Sequence, residues 1–128
     1  MTEAELWHMH LLAVENTSSG LEGVMTIIFA FLATAYFVGG RLTRVQAALL
    51  AAFFVVGAST ASLLALVEFR RSLFFMEKLT QQFGVVSISP NSIVMPLMAI
   101  ILALFIPASV VFLYQMRRKE RPSEDAPE

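Results

Sequence analysis

Few residues of this chain combine a reactive side chain with a place in an apolar segment. The two histidines, His8 and His10, are separated by two positions, which puts them about 160° apart on a helix. A helix therefore does not bring them together as metal ligands. His10 points into an apolar arc, where it could ligate a haem or simply lie at the membrane interface. With no cysteine in the chain, we predict no metal site and no bound cofactor.

A second set of polar residues, Ser59, Ser62 and Glu68, follows one hydrophobic segment. An ionisable group inside a bilayer is a functional candidate. Glu68 falls where the hydrophobic segment meets the membrane interface, and Arg70 and Arg71 follow it closely in sequence. We therefore expect Glu68 to form an ion pair with one of these arginines. The two serines favour hydrogen bonds across a helix interface or to their own backbone. The same three residues would form an ion site or a pore mouth if the chain were a channel. No phosphate loop and no nucleophile–base pattern is visible, so we predict no catalytic residue and no enzyme.

The composition is that of an integral membrane protein. Hydrophobic residues make up 57% of the 128 residues and charged residues 15%, against roughly 25% charged residues in ordinary soluble domains. The mean hydropathy is +0.71. The net charge of −1 gives no electrostatic attraction to nucleic acid. We therefore predict a single all-α membrane domain whose first partner is the lipid bilayer.

Three segments are long enough to cross a hydrocarbon core of about 30 Å, which takes roughly 20 residues of helix. They cover residues 21–40, 45–67 and 93–114, and the second helix is expected to continue to about residue 83, before Gly84. Residues 2–16 are predicted to form a short amphipathic interfacial helix. Residues 16–20 would be a turn into the first span, residues 85–89 a loop, and residues 117–128 a disordered tail.

The distribution of positive charge predicts the orientation. Three Lys or Arg residues lie in the N-terminal segment and the second connection. Six lie in the first connection and the C-terminal tail: Arg41, Arg44, Arg117, Arg118, Lys119 and Arg121. The asymmetry predicts a multi-pass protein of a cytoplasmic (inner) membrane, with the N-terminus outside and the C-terminus in the cytoplasm.

Small residues recur at spacings of four and three in the first two spans, which places each set on one helix face. The second span carries Ala47, Ala51, Phe54, Ala58, Ala61 and Ala65, opposite bulky side chains. The first helix carries Ser19, Gly23, Thr26, Ala30, Ala33, Phe37 and Gly40. Small faces let membrane helices approach closely, so we predict that the two spans pack antiparallel along these two faces.

Extensive helix-packing surface without embedded polar chemistry favours one function over another. We expect an accessory or structural subunit, or a scaffold, that packs laterally against the transmembrane helices of a larger complex or of its own copies. A homo-oligomeric channel is the alternative, with Ser59, Thr60 or Ser62 along its path and a ring of Glu68 at its mouth.

Overall fold

The computed structural model describes residues 1–85 and 91–119, of which 95% are helical. Helix α1 spans Glu3–Val38, and a 3-10 turn at Gly39–Arg41 leads to α2, Arg44–Phe83. Helix α3 spans Asn91–Lys119. All three helices are long and apolar enough to cross a membrane. The prediction of an all-α chain with three candidate membrane spans is confirmed.

Local sequence explains where α1 and α2 begin and end. Both start with a capping box, in which Thr2 and Thr43 accept hydrogen bonds from the backbone N–H groups of Glu5 and Gln46. The Glu5 and Gln46 side chains accept in return from the backbone N–H of the threonines. Gly84 ends α2 at a φ of 66°, a left-handed conformation that favours glycine. The extension of the second helix to residue 83 is therefore observed.

The separate N-terminal helix and the turn at residues 16–20 are not observed, because α1 runs through both without a break. The Thr17 hydroxyl donates to the carbonyl oxygen of Ala13 at 2.8 Å, within the helix. At Gly20 the backbone lies close to α2, since a Cβ built there would be 3.1 Å from the Cβ of Ala65. Packing against α2 thus overrides the local preference of this Asn, Thr, Ser and Gly run for a turn.

Helices α1 and α2 pack antiparallel along most of their length. On α2 the contact face is the small-residue face, with Ala47, Ala51, Phe54, Ala58 and Ala65 buried and Ala61 partly buried. The rings of Phe31 and Phe54 stack with centroids 3.9 Å apart and planes inclined by 17°. Such an aromatic pair contributes about 0.5–1.5 kcal/mol beyond its buried area.

The face of α1 that meets α2 differs from the predicted one. Gly23, Thr26, Ala30, Ala33 and Phe37 are all exposed. The buried face lies one position further along and carries larger side chains: Val24, Ile28, Phe31 and Ala35. The physical reason is complementarity of size, since the small face of α2 leaves room for large side chains of α1. The predicted contact of two small faces would not fill this space, so that prediction is wrong for α1.

Helix α3 lies against α1, α2 and the 3-10 turn. Leu102, Ser109 and Leu113 are buried, and the Gly39 Cα region is covered by the side chains of Leu113 and Met116. Residues 117–119 continue the helix rather than beginning a disordered tail. The remainder of the predicted tail and most of the predicted loop at 85–89 lie outside the described residues.

The N-terminal part of α1 and the C-terminal part of α2 form a second hydrophobic cluster. It consists of Leu6, Phe75 and Leu79, flanked by Trp7, Met9 and Met76. All six residues belong to α1 or α2. We call residues 3–18 of α1 and 68–83 of α2 the distal hairpin, because they lie furthest from the connection between the two helices.

Candidate functional site

A cavity of about 350 Å³ lies at the base of the distal hairpin, where α1, α2 and α3 meet. Its lining is mainly apolar, with four polar residues among nine. The lining residues are His10, Val14, Thr17, Ser18 and Leu21 from α1, Phe69 and Ser72 from α2, and Val94 and Met98 from α3. The cavity is of a size that small ligands occupy, near the lower end of the common range of about 300–1,000 Å³.

His10 is the polar residue that the packing holds most firmly in this lining. His10 is buried, with an exposed fraction of 7%. The ring atom Nδ1 lies 3.0 Å from the backbone carbonyl oxygen of Ser72, across the interface between α1 and α2. A carbonyl oxygen only accepts, so Nδ1 carries a proton and donates it. This bond fixes the ring and leaves Nε2 as the nitrogen available to a ligand.

The two histidines are not partners in the structure. His8 is exposed while His10 is buried, in keeping with their angular separation on a helix. Among residues 1–85 and 91–119, the histidines, aspartates and glutamates form no cluster of three that could hold a metal ion. Within these ranges, His10 therefore belongs to no such cluster.

Two hydroxyl groups in the cavity lining have already used their protons. Thr17 Oγ1 donates to the carbonyl oxygen of Ala13 at 2.8 Å, and Ser72 Oγ donates to that of Phe69 at 2.8 Å. Both side chains are buried, with exposed fractions of 6% and 1%. What they still offer to a ligand is the lone pairs of their oxygens.

Glu68 lies beside this region and makes the contact expected of it with Arg71. Its Oε1 is 3.9 Å from Nη1 of Arg71, and the side chains are 28% and 52% exposed respectively. Its Oε2 is enclosed and has no hydrogen-bond partner among the described residues. At this distance and exposure, the ion pair contributes between about 0 and 1 kcal/mol.

The structure does not bring Ser59 and Ser62 together with Glu68. Ser62 is buried, and its hydroxyl donates to the carbonyl oxygen of Ala58 at 2.7 Å. Ser59 is half-buried. Ser62 and Glu68 are six positions apart along the helix, a rise of about 9 Å. The two residues therefore do not share a site within one chain.

Sequence reasoning identified His10 but missed the rest of the cavity. The composition of residues 16–20 predicts a turn at Thr17, and no sequence pattern singles out Phe69, Val94 or Met98. A signal was present in the sequence, because Leu6, His10, Ala13 and Thr17 follow the same four-and-three spacing as the small face of α2. That pattern indicates one helix with a continuous contact face across residues 6–17, rather than a short helix at residues 2–16 followed by a turn.

Comparisons with protein-family models, with curated proteins and with solved structures find no match to this chain, so its function must be inferred from its own residues.

Proposed function

We propose that the protein is an accessory or structural subunit, or a scaffold, that binds other transmembrane helices laterally through one face of α1. The observation that carries this proposal is the exposed set of small residues Ser19, Gly23, Thr26, Ala30 and Ala33, called here the small face of α1. The bound helices belong to a larger membrane complex or to further copies of the chain. The proposal assigns the protein no catalytic chemistry.

The small face of α1 has the spacing that membrane helices use to approach one another. Ser19 and Gly23 are four residues apart, as are Thr26 and Ala30. A Cβ built at Gly23 would have no atom within 4 Å. In a bilayer, such a surface is attractive to another helix, because close backbone contact supplies van der Waals energy that lipid chains do not match.

Most of the apolar surface of the three helices is left uncovered by the chain itself. Only 17–28% of the most apolar 18-residue window in each helix is buried. On α2 the uncovered surface is bulky, with Leu49, Phe53 and Val56 more than half exposed. Bulky surface suits contact with lipid, whereas the small face of α1 suits contact with protein. This contrast supports a lateral partner on α1.

The positions of the serines favour a subunit over a homo-oligomeric channel. Ser62 is buried on the face of α2 that packs against α1, and its hydroxyl is bonded to its own helix. It is therefore not free to line a path between chains. A channel would then depend on Thr60, Ser59 and Glu68, of which the last would stand at the mouth.

We further propose a cytoplasmic (inner) membrane as the location, with the N-terminus outside and the C-terminus inside. The charge distribution supports this orientation, since Arg41 and Arg44 follow the first span and Arg117, Arg118 and Lys119 end the third.

The experiment that tests the proposed function is native mass spectrometry of the tagged chain after gentle extraction from its own membrane. We expect recovery with other chains at fixed stoichiometry. Ala30→Leu, which places a large side chain on the small face, should reduce the recovered complex about fivefold or more, because overpacking a close interface costs about 1–3 kcal/mol. The helical content and thermal unfolding of the isolated chain should not change, since Ala30 is exposed.

The matched control is Ala52→Leu, the same substitution at an exposed position of α2 that lies among bulky side chains. It should leave the complex intact. Recovery of the wild-type chain as a monomer would contradict the proposal, as would equal recovery of the Ala30→Leu complex. Closed rings of identical chains that conduct ions, and lose conductance in Glu68→Gln, would establish the channel instead.

A further inference from the structure

We propose that the cavity at the base of the distal hairpin binds a lipid-soluble compound that carries a hydroxyl group, with Nε2 of His10 accepting the hydrogen bond. This inference is independent of the lateral partner proposed for α1. It rests on the cavity itself, on the hydrogen bonding of its polar residues and on its place along the helices.

The first step is the state of His10. His10 is buried, with an exposed fraction of 7%. Its Nδ1–H donates a hydrogen bond to the Ser72 carbonyl oxygen, with 3.0 Å between the two atoms. Nε2 makes no hydrogen bond to any residue of the described ranges 1–85 and 91–119. Nε2 is not one of the enclosed atoms without a partner, so it is open to a hydrogen-bond donor of a ligand in the cavity that His10 lines.

The second step is the polarity of the cavity, which determines what the ligand must carry. Thr17 and Ser72 have given their hydroxyl protons to backbone carbonyl oxygens, and His10 has given its Nδ1 proton to another. In the neutral form of the ring, all three buried polar side chains therefore present lone pairs alone. Ser18, the fourth polar residue of the lining, is exposed. A ligand that pairs with the three buried side chains must donate a hydrogen bond, which a hydroxyl group does and a ketone or an ether does not.

The third step is the apolar remainder of the lining and its place in the fold. Leu21, Phe69, Val94 and Met98 surround the polar side chains, so the body of the ligand must be apolar. Glu68 immediately precedes Phe69, and Glu22 immediately follows Leu21, so the cavity lies where the apolar spans give way to charge. A compound dissolved in the bilayer, with its hydroxyl group at the interface, has both properties and reaches this level without crossing water.

The test measures binding to the full chain in lipid nanodiscs by calorimetry, at a mildly alkaline pH where free imidazole is neutral. Tetramethylhydroquinone and 1-decanol are the probes, and their methyl ethers are the matched controls without a donor. We expect at least one hydroxyl probe to bind, and its ether to bind about tenfold more weakly, because one hydrogen bond is lost. The preferred probe identifies the source, a phenolic compound or an aliphatic alcohol.

A pair of variants identifies the acceptor. His10→Asn keeps an N–H group near the position of Nδ1, able to donate to Ser72, but removes Nε2. We expect binding about tenfold weaker. His8→Asn makes the same change at an exposed position of α1 and should bind as the wild type does. In the wild type, the ¹⁵N resonance of Nε2 should shift with the hydroxyl probe and not with the ether.

Three results would overturn the inference: no binding of either hydroxyl probe, equal binding of a hydroxyl probe and its ether, or equal loss of binding in His8→Asn and His10→Asn. The ether comparison and the ¹⁵N measurement use the unaltered chain. They remain decisive if His10→Asn does not fold.

Discussion

Two glycines of α1 show how much the surroundings of a residue decide. Gly20 and Gly23 are three positions apart in the same helix, and both have helical backbone. A Cβ at Gly20 would lie 3.1 Å from the Cβ of Ala65 and 3.4 Å from its Cα, whereas a Cβ at Gly23 would meet nothing within 4 Å. Gly20 thus sets the approach of α1 to α2, and Gly23 does not.

We expect Gly20→Leu to lower the free energy of unfolding by about 1–3 kcal/mol, because the new side chain forces α1 away from Ala65. Gly23→Leu is the matched control, since both changes gain the same helix propensity. It should leave stability unchanged or slightly raised. Unfolding by denaturant titration, followed by circular dichroism in a detergent that keeps the chain monomeric, measures the difference. Equal effects of the two substitutions would mean that Gly20 is not at a close contact.

The sequence alone distinguishes buried from exposed helix faces in α2 but not in α1. The small face of α2 was predicted at its observed position, because the bulky residues Leu49, Phe53 and Val56 mark the opposite side. In α1 both faces are apolar, so the spacing of apolar residues alone does not indicate which face contacts α2. The face of α1 that contacts α2 is the one carrying Phe31, which stacks on Phe54. This contact joins two helices, so the residue pattern of one helix does not predict it.

At the scale of elements, the continuity of α1 is the main departure from expectation. Residues 16–20 have a composition typical of turns, yet they lie within a helix of 36 residues. The sequence predicted the C-terminal end of α2 well, because a terminal glycine acts locally. It predicted the middle of α1 poorly, since that conformation is stabilised by contact with α2.

A proline scan of two positions tests whether α1 is one helix. Ser18→Pro should destabilise the protein by about 3 kcal/mol or more, because it removes a helical hydrogen bond and its ring collides with the preceding turn. Glu3→Pro, at the first helical residue, should be tolerated: no helical bond is lost there, and Thr2 already has extended backbone at ψ 160°. Thermal unfolding by circular dichroism measures both. A harmless Ser18→Pro would restore the turn at residues 16–20.

At the scale of the molecule, the charged ends of the helices bear on the orientation. The 3-10 turn with Arg41 lies beside the C-terminal part of α3, since Leu113 and Met116 cover Gly39. Arg117, Arg118 and Lys119 follow directly in α3. The positive residues of the first connection and of the last helix are therefore at the same end of the bundle. That grouping supports the proposed cytoplasmic side.

Because the chain has no cysteine, single cysteines report on orientation without background. We expect Gln81→Cys, at an exposed position of the distal hairpin, to react in intact cells with a maleimide that does not cross membranes. Ser123→Cys, in the C-terminal tail, should react only after the cells are opened. The reverse pattern would invert the proposed topology, and labelling of both in intact cells would contradict it.

The division of the apolar interior into two clusters has a consequence for how the protein opens. Leu6, Phe75 and Leu79 form one cluster, and the set around Phe31 and Phe54 forms the other. Between them lie a cavity and the close approach of Gly20 to Ala65. We therefore expect each cluster to open as its own cooperative unit, so that amide hydrogens of the distal hairpin exchange through a partial opening that leaves the rest folded. Arg70, Arg71 and Lys78 lie in that part of α2, so we expect a protease that cuts after basic residues to cut the distal hairpin while the spans stay intact.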